Sequence, residues 1–113
     1  MKTKTEQIDL IIENLEHTKL FPAMYFGSKD DVISAQSYLN GVQQAVFSLL
    51  ELDKYSYSTV RGEVVTKRGH LYSAQGVSKE LKAEGFTDEQ IVQKLLDIEI
   101  ELWKIYRDSV EKN

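Results

Sequence analysis

Apolar residues recur along this chain mostly at helical spacing. Ile8, Ile11, Ile12 and Leu15 fall at i, i+3, i+4 and i+7, which predicts one buried stripe on a helix of about four turns. Thr3-Lys4-Thr5-Glu6 fits a capping box at its start, and Pro22 biases Phe21 towards extended geometry, so the helix is expected to end near His17. A second helix is predicted from about Lys29 to Leu52, with Val32, Ala35, Leu39, Val42, Val46, Leu49 and Leu50 inward. Its length would be about 36 Å at 1.5 Å per residue. Ser28, with Asp31 three residues on, is its cap signal. Gly41 costs that helix roughly 1 kcal/mol relative to Ala, which predicts a close approach by another backbone. The last helix runs from about Asp88 to Val110, its stripe Ile91, Leu95, Ile98, Leu102 and Ile105 flanked by Trp103 and Tyr106. Thr87-Asp88-Glu89-Gln90 is a further capping box, and Phe86 can staple against Ile91. Lys94, Asp97, Glu101 and Lys104 form the opposite, solvated face, as charge pairs along the helix.

Two segments read less simply. Leu20 to Gly27 is apolar, contains the chain's only proline and is too short for a helix between its neighbours, so it packs into the core, with Met24, Tyr25 and Phe26 filling the gap between the two helices, or forms part of an interface. Tyr55, Tyr57 and Thr59 alternate with polar residues as in a strand, whereas Val60, Val64 and Val65 allow a short helix closed by Gly69. Helix is preferred there because no clear second strand is available for pairing. Ser73 then caps a helix carrying Val77 and Leu81 that ends at Gly85. The expected fold is all-α, a single-domain bundle over residues 1–113 with four to five helices, two of them long.

Composition narrows the function classes. The 113 residues carry 14 Lys plus Arg against 18 Asp plus Glu, a formal charge of −4, which argues against duplex nucleic acid as a partner. With 42% apolar and 28% charged residues the chain has the make-up of a globular protein, and the absence of Cys excludes disulfides and thiol chemistry. The basic amino terminus is followed by charges at Glu6, Asp9, Glu13 and Glu16 rather than an apolar run, and no stretch approaches the roughly 20 residues of a membrane span. A cytoplasmic protein with no membrane contact is expected.

Candidate chemistry is sparse. His17 and His70 lie in separate segments, each without a metal-ligand spacing, so neither a metal nor a cofactor is expected. No Ser lies in a GxSxG or SxxK context, and no GxxxxGK[ST] or GxGxxG loop is present. Among the carboxylates, Asp97 and Glu101 fall on the solvated face of the last helix, and Glu99 and Glu80 remain candidates for acid–base work. One basic, aromatic stretch stands apart: Arg61, Lys67, Arg68 and His70 with Tyr55, Tyr57 and Tyr72. Cations beside stackable rings suit a nucleotide or a single strand, but a solvated helix end whose Lys67 and Arg68 answer the dipole is the preferred reading, and a docking surface for an acidic protein is a further one.

Phe21-Pro22-Ala23-Met24-Tyr25-Phe26-Gly27-Ser28, followed by Tyr38-Leu39-Asn40-Gly41, carries a resemblance. The type II topoisomerase ATPase domains have a similar proline-glycine-Met-Tyr segment, but here the following helix lacks their ExxxN and no DxGxG follows. The pattern instead resembles a loosely defined set of small bacterial and phage proteins with RPxMYxG and FLxGY motifs, with Phe21 in place of the Arg and Val42 in place of the final aromatic. That resemblance implies an immunity-like or anti-defence role in conflict between bacteria, toxins and phages, by binding rather than catalysis. The expectation is therefore a non-enzymatic binding protein that neutralises or sequesters a protein effector, through Phe21, Met24, Tyr25 and Phe26 and through Tyr55, Tyr57, Arg61, Lys67, Arg68 and Tyr72. The alternative is an oligomeric sponge that holds a nucleotide-derived small molecule without cleaving it. The broad apolar surface of the last helix suits a homodimer or higher homo-oligomer.

Overall fold

The computed structural model describes residues 3–69 and 76–112, and among them the fold is all-α, with no strand. Helix α1 (Lys4–Leu20) opens on the expected capping box, in which Glu6 N donates to Thr3 Oγ1 at 3.1 Å and the Glu6 carboxylate accepts from Thr3 N. It continues past His17 to Leu20. There Phe21 N donates to the His17 carbonyl oxygen, and Pro22 starts a new helix rather than extending the old one.

Pro22–Phe26, expected to be non-helical, is a single helical turn, α2. Proline suits its first position because its φ is preset and its missing N–H would have no partner there. Gly27 ends the turn at φ 79°, a left-handed conformation that an L side chain adopts only with strain. Helix α3 (Val32–Leu50) is capped by Asp31, which accepts from Ser34 N at 2.9 Å, and not by Ser28, whose hydroxyl donates to Asp30 instead. The Ser34 hydrogen bonds hold the Asp31 carboxyl below its usual range.

Two further expectations for α3 fail for one reason. Its buried arc runs through Ala35, Leu39 and Val46 and is turned towards Gln43, Phe47 and Leu50. That rotation leaves Leu49 80% exposed and puts Gly41 on the outer face, where a Cβ would meet nothing within 4 Å. No backbone approaches Gly41. The helix ends at Glu51, which holds a left-handed conformation at φ 53° and ψ 44°. Such a conformation costs a non-glycine residue about 1–2 kcal/mol. Glu51→Gly is therefore expected to stabilise the fold by about 1 kcal/mol, seen as a rise in the urea midpoint at unchanged m.

Helix α4 (Lys54–Lys67) settles residues 54–67 as helix, and α5 (Gly76–Ala83) carries Val77 and Leu81 inward. Ser73, expected to cap α5, lies outside the described residues. Helix α6 (Asp88–Lys112) starts at the predicted capping box, with Gln90 N donating to Thr87 Oγ1 and Thr87 N to Gln90 Oε1.

Helix α6 is the axis of the molecule: α1 packs along it most extensively, and α4, α3 and α5 pack against it too. Covered on several sides, it buries Val92, Leu96 and Ile100 as well as most of the predicted stripe, while Ile105 reaches the surface. Its charges consequently meet groups outside the helix itself. Asp97 meets Lys19 of α1 at 2.5 Å, Lys104 meets Glu16 of α1 at 3.9 Å, and Lys94 lies over the Phe86 ring at 4.7 Å. Among the described residues no helix is long and apolar enough to cross a membrane.

Candidate functional site

The most buried charge in the described structure is Glu99, 1% exposed. Helix α6 puts it on the inward face, four residues after Leu95 and four before Trp103. Four side chains from three helices converge on its carboxylate. Oε1 accepts from Gln43 Nε2 at 3.1 Å and Arg61 Nη1 at 3.3 Å. Oε2 accepts from Gln43 Nε2 at 3.0 Å, Tyr57 Oη at 2.9 Å and Trp103 Nε1 at 3.0 Å. Two carboxylate oxygens offer about four lone-pair sites, so these donors leave little capacity for a substrate proton. Burial pushes the Glu99 carboxyl up, against the opposing pull of Arg61, Tyr57, Gln43 and Trp103. The same burial, with Glu99 beside it, drives the Tyr57 phenol far above its ordinary value.

An aromatic cage surrounds this centre. The Tyr57 ring lies 4.9 Å from Phe47 and 5.3 Å from Trp103, and Trp103 lies 5.7 Å from Tyr106. On the other side of the carboxylate, a cleft of about 320 Å³ runs between α3, α4, α5 and α6.

The basic stretch of α4 lies over the acids of α6. Arg61 faces Glu99, while Arg68 reaches Glu101 at 2.6 Å and Lys67 reaches it at 3.7 Å. Glu101, expected on a solvated face, is thus a partner for α4. Tyr57 is inside the core at 5% exposure. The Tyr55 side chain, Tyr72 and His70 lie outside the described residues. The described members divide: Tyr57 and Arg61 face the buried Glu99, while Lys67 and Arg68 stay at the surface around Glu101.

The Phe21–Phe26 segment divides in two. Tyr25 and Phe26 fill the gap between α1 and α3, as expected. Phe26 is buried edge-on against Tyr38, and Tyr25 Oη lies 2.6 Å from His17 Nδ1. Met24, expected in the same gap, is 74% exposed, because one helical turn puts it on the side opposite its neighbours. With Leu20 at 73% and Phe21 at 49%, it forms an apolar corner where α1 meets α2. These three line a cavity of about 390 Å³ with Lys19, Lys29, Glu89 and Gln93 at its polar edge.

The chain matches no protein-family model, no curated protein and no solved structure. Function has to be argued from the residues themselves. Among those described, no group of three His, Asp or Glu side chains is arranged to hold a metal ion. The sequence reading missed Gln43, Trp103 and Leu20 as members of these sites. A signal existed for Gln43: it follows Leu39 by one helical turn on the inward face of α3, where an unpaired amide would be costly.

Proposed function

We propose that this protein is a non-enzymatic binding protein that neutralises or sequesters a protein partner, and that its contact face is the corner formed by Leu20, Phe21 and Met24. The observation that carries this reading is the joint exposure of those three large apolar side chains over one concavity with a polar rim. A monomer leaves such groups together in water at a cost, and burying them against a partner recovers roughly 25 cal/mol per Å² of apolar surface. An apolar anchor ringed by polar groups is the arrangement that concentrates binding energy at protein interfaces, and methionine adapts its shape to the partner it meets. A partner from bacterial or phage conflict is what the resemblance of the Phe21–Ser28 segment implies. The alternative sponge for a nucleotide-derived signal would require Arg61, Lys67 and Arg68 to leave Glu99 and Glu101, so the protein-binding reading is favoured.

The test is capture of a partner from the host with the tagged chain, followed by calorimetry with both proteins purified. Phe21→Glu and Met24→Glu are each expected to weaken binding by about tenfold or more, since each puts a charge into a desolvated contact. Both positions are exposed, so the melting temperature should hold. Affinity unchanged in both variants would remove the corner as the contact face.

A further inference from the structure

A second site is built into the cleft beside Glu99, and it does not depend on the apolar corner. We propose that this cleft binds an uncharged, planar molecule of nucleobase or nucleoside size, held edge-on by side-chain amides and Arg61. Its volume of about 320 Å³ stands at the small end of ligand pockets, which run from roughly 300 to 1,000 Å³.

The lining has two characters. Leu39, Val77, Leu95 and Ile98 supply an apolar wall suited to the face of a flat ring. Gln36, Asn40, Gln43 and Arg61 supply polar groups. Because a carboxylate can only accept, the Gln43 amide must turn its nitrogen to Glu99, which leaves its carbonyl oxygen as an acceptor. Asn40, exposed one turn earlier on α3 than Gln44 and one position after Leu39, adds both a donor and an acceptor. Arg61 gives Nη1 to Glu99 and also meets Tyr57, and other N–H groups of its fork remain for a ligand carbonyl. Mixed donors and acceptors of this kind match the edge of a nucleobase or a similar cyclic amide.

Charge decides against an anion. The lining holds one cation and one carboxylate 3.3 Å apart, so a phosphate drawn to Arg61 would also meet the field of Glu99. The cleft therefore selects by shape and hydrogen bonding, and adding a phosphate to the ligand should bring no gain.

The experiment titrates adenosine, guanosine, cytidine and uridine, each beside its 5′-monophosphate, into the full chain, followed by backbone amide resonances and by calorimetry. At least one nucleoside is expected to bind saturably, with shifts centred on Asn40, Gln43 and Val77, and its monophosphate to bind no more than about threefold tighter. Asn40→Leu, which fills the mouth of the cleft from an exposed helical position, should weaken that binding by about fivefold or more at unchanged melting temperature. Asn40→Ala serves the same comparison if the leucine variant folds poorly. Absence of saturable shifts at these residues up to millimolar nucleoside overturns the proposal. So does a monophosphate preference above that limit, or a loss smaller than fivefold in the position-40 variant.

Discussion

Glu99→Leu is expected to cost the fold about 3–5 kcal/mol, measured as the loss of unfolding free energy in urea. The substitution keeps an inward side chain on α6 but leaves the Arg61 guanidinium, the Tyr57 hydroxyl, the Gln43 amide and the Trp103 N–H without their common acceptor. Each stranded donor in the interior costs about 1–3 kcal/mol, and the charged one more. Adding Arg61→Met removes the uncompensated cation, so the double variant should recover a large part of the loss. If the single and double variants are equally unstable, the pair is not the centre of the network.

The pH dependence has a definite sign. The Glu99 carboxyl titrates above its unfolded value because burial disfavours its charge. The folded state therefore holds that proton more tightly than the unfolded chain. The contribution of Glu99 to stability is fullest below the ordinary carboxylate range and falls as pH rises through the folded-state value. Asp31 runs the other way: its contribution is present above the unfolded value and is lost as pH falls through the lowered one. Comparing the stability of the native chain with that of the Arg61→Met/Glu99→Leu variant across pH 4–8 isolates the Glu99 slope, since both keep Asp31.

Trp103→Ala should be about as damaging, at roughly 3–5 kcal/mol by circular dichroism melts. The indole is fully buried, stacks at an angle on Tyr57, meets Tyr106 edge-on and donates to Glu99. Alanine removes the ring contacts and the donor together. Trp103→Phe keeps most of the apolar volume and should lose only about 1–2 kcal/mol, mainly through the missing N–H bond. Because Trp103 and Glu99 touch, their losses should not add in a combined variant. Trp103 is also the chain's only tryptophan, so its fluorescence reports on this centre alone.

What was legible in the sequence was local. The Thr3 and Thr87 capping boxes, the Ile8–Leu15 stripe and the long last helix rest on spacings of three and four residues, and each has the form expected. Leu49 and Gly41 were misread because periodicity gives the width of an apolar face without saying towards which neighbour it turns. The candidate site was harder for the same reason. That Glu99 lies on an inward face can be read from Leu95 and Trp103, but its partners Gln43, Tyr57 and Arg61 come from α3 and α4, 38 to 56 residues away. The basic run of α4 looked like a surface because nothing in its own composition announces that the acids of α6 lie beneath it.

The central position of α6 sets the order of events during synthesis. Helices α1, α3, α4 and α5 all leave the ribosome before the segment they pack on, and α1 waits the longest for it. A nascent chain that has reached only residue 87 can join α1 to α3 through α2, but the stripes that pack on α6 have no partner. Consolidation must come late and nearly at once, with contacts that join the first helix to the last. Apolar stripes left uncovered in this way are the surfaces through which incompletely folded chains associate.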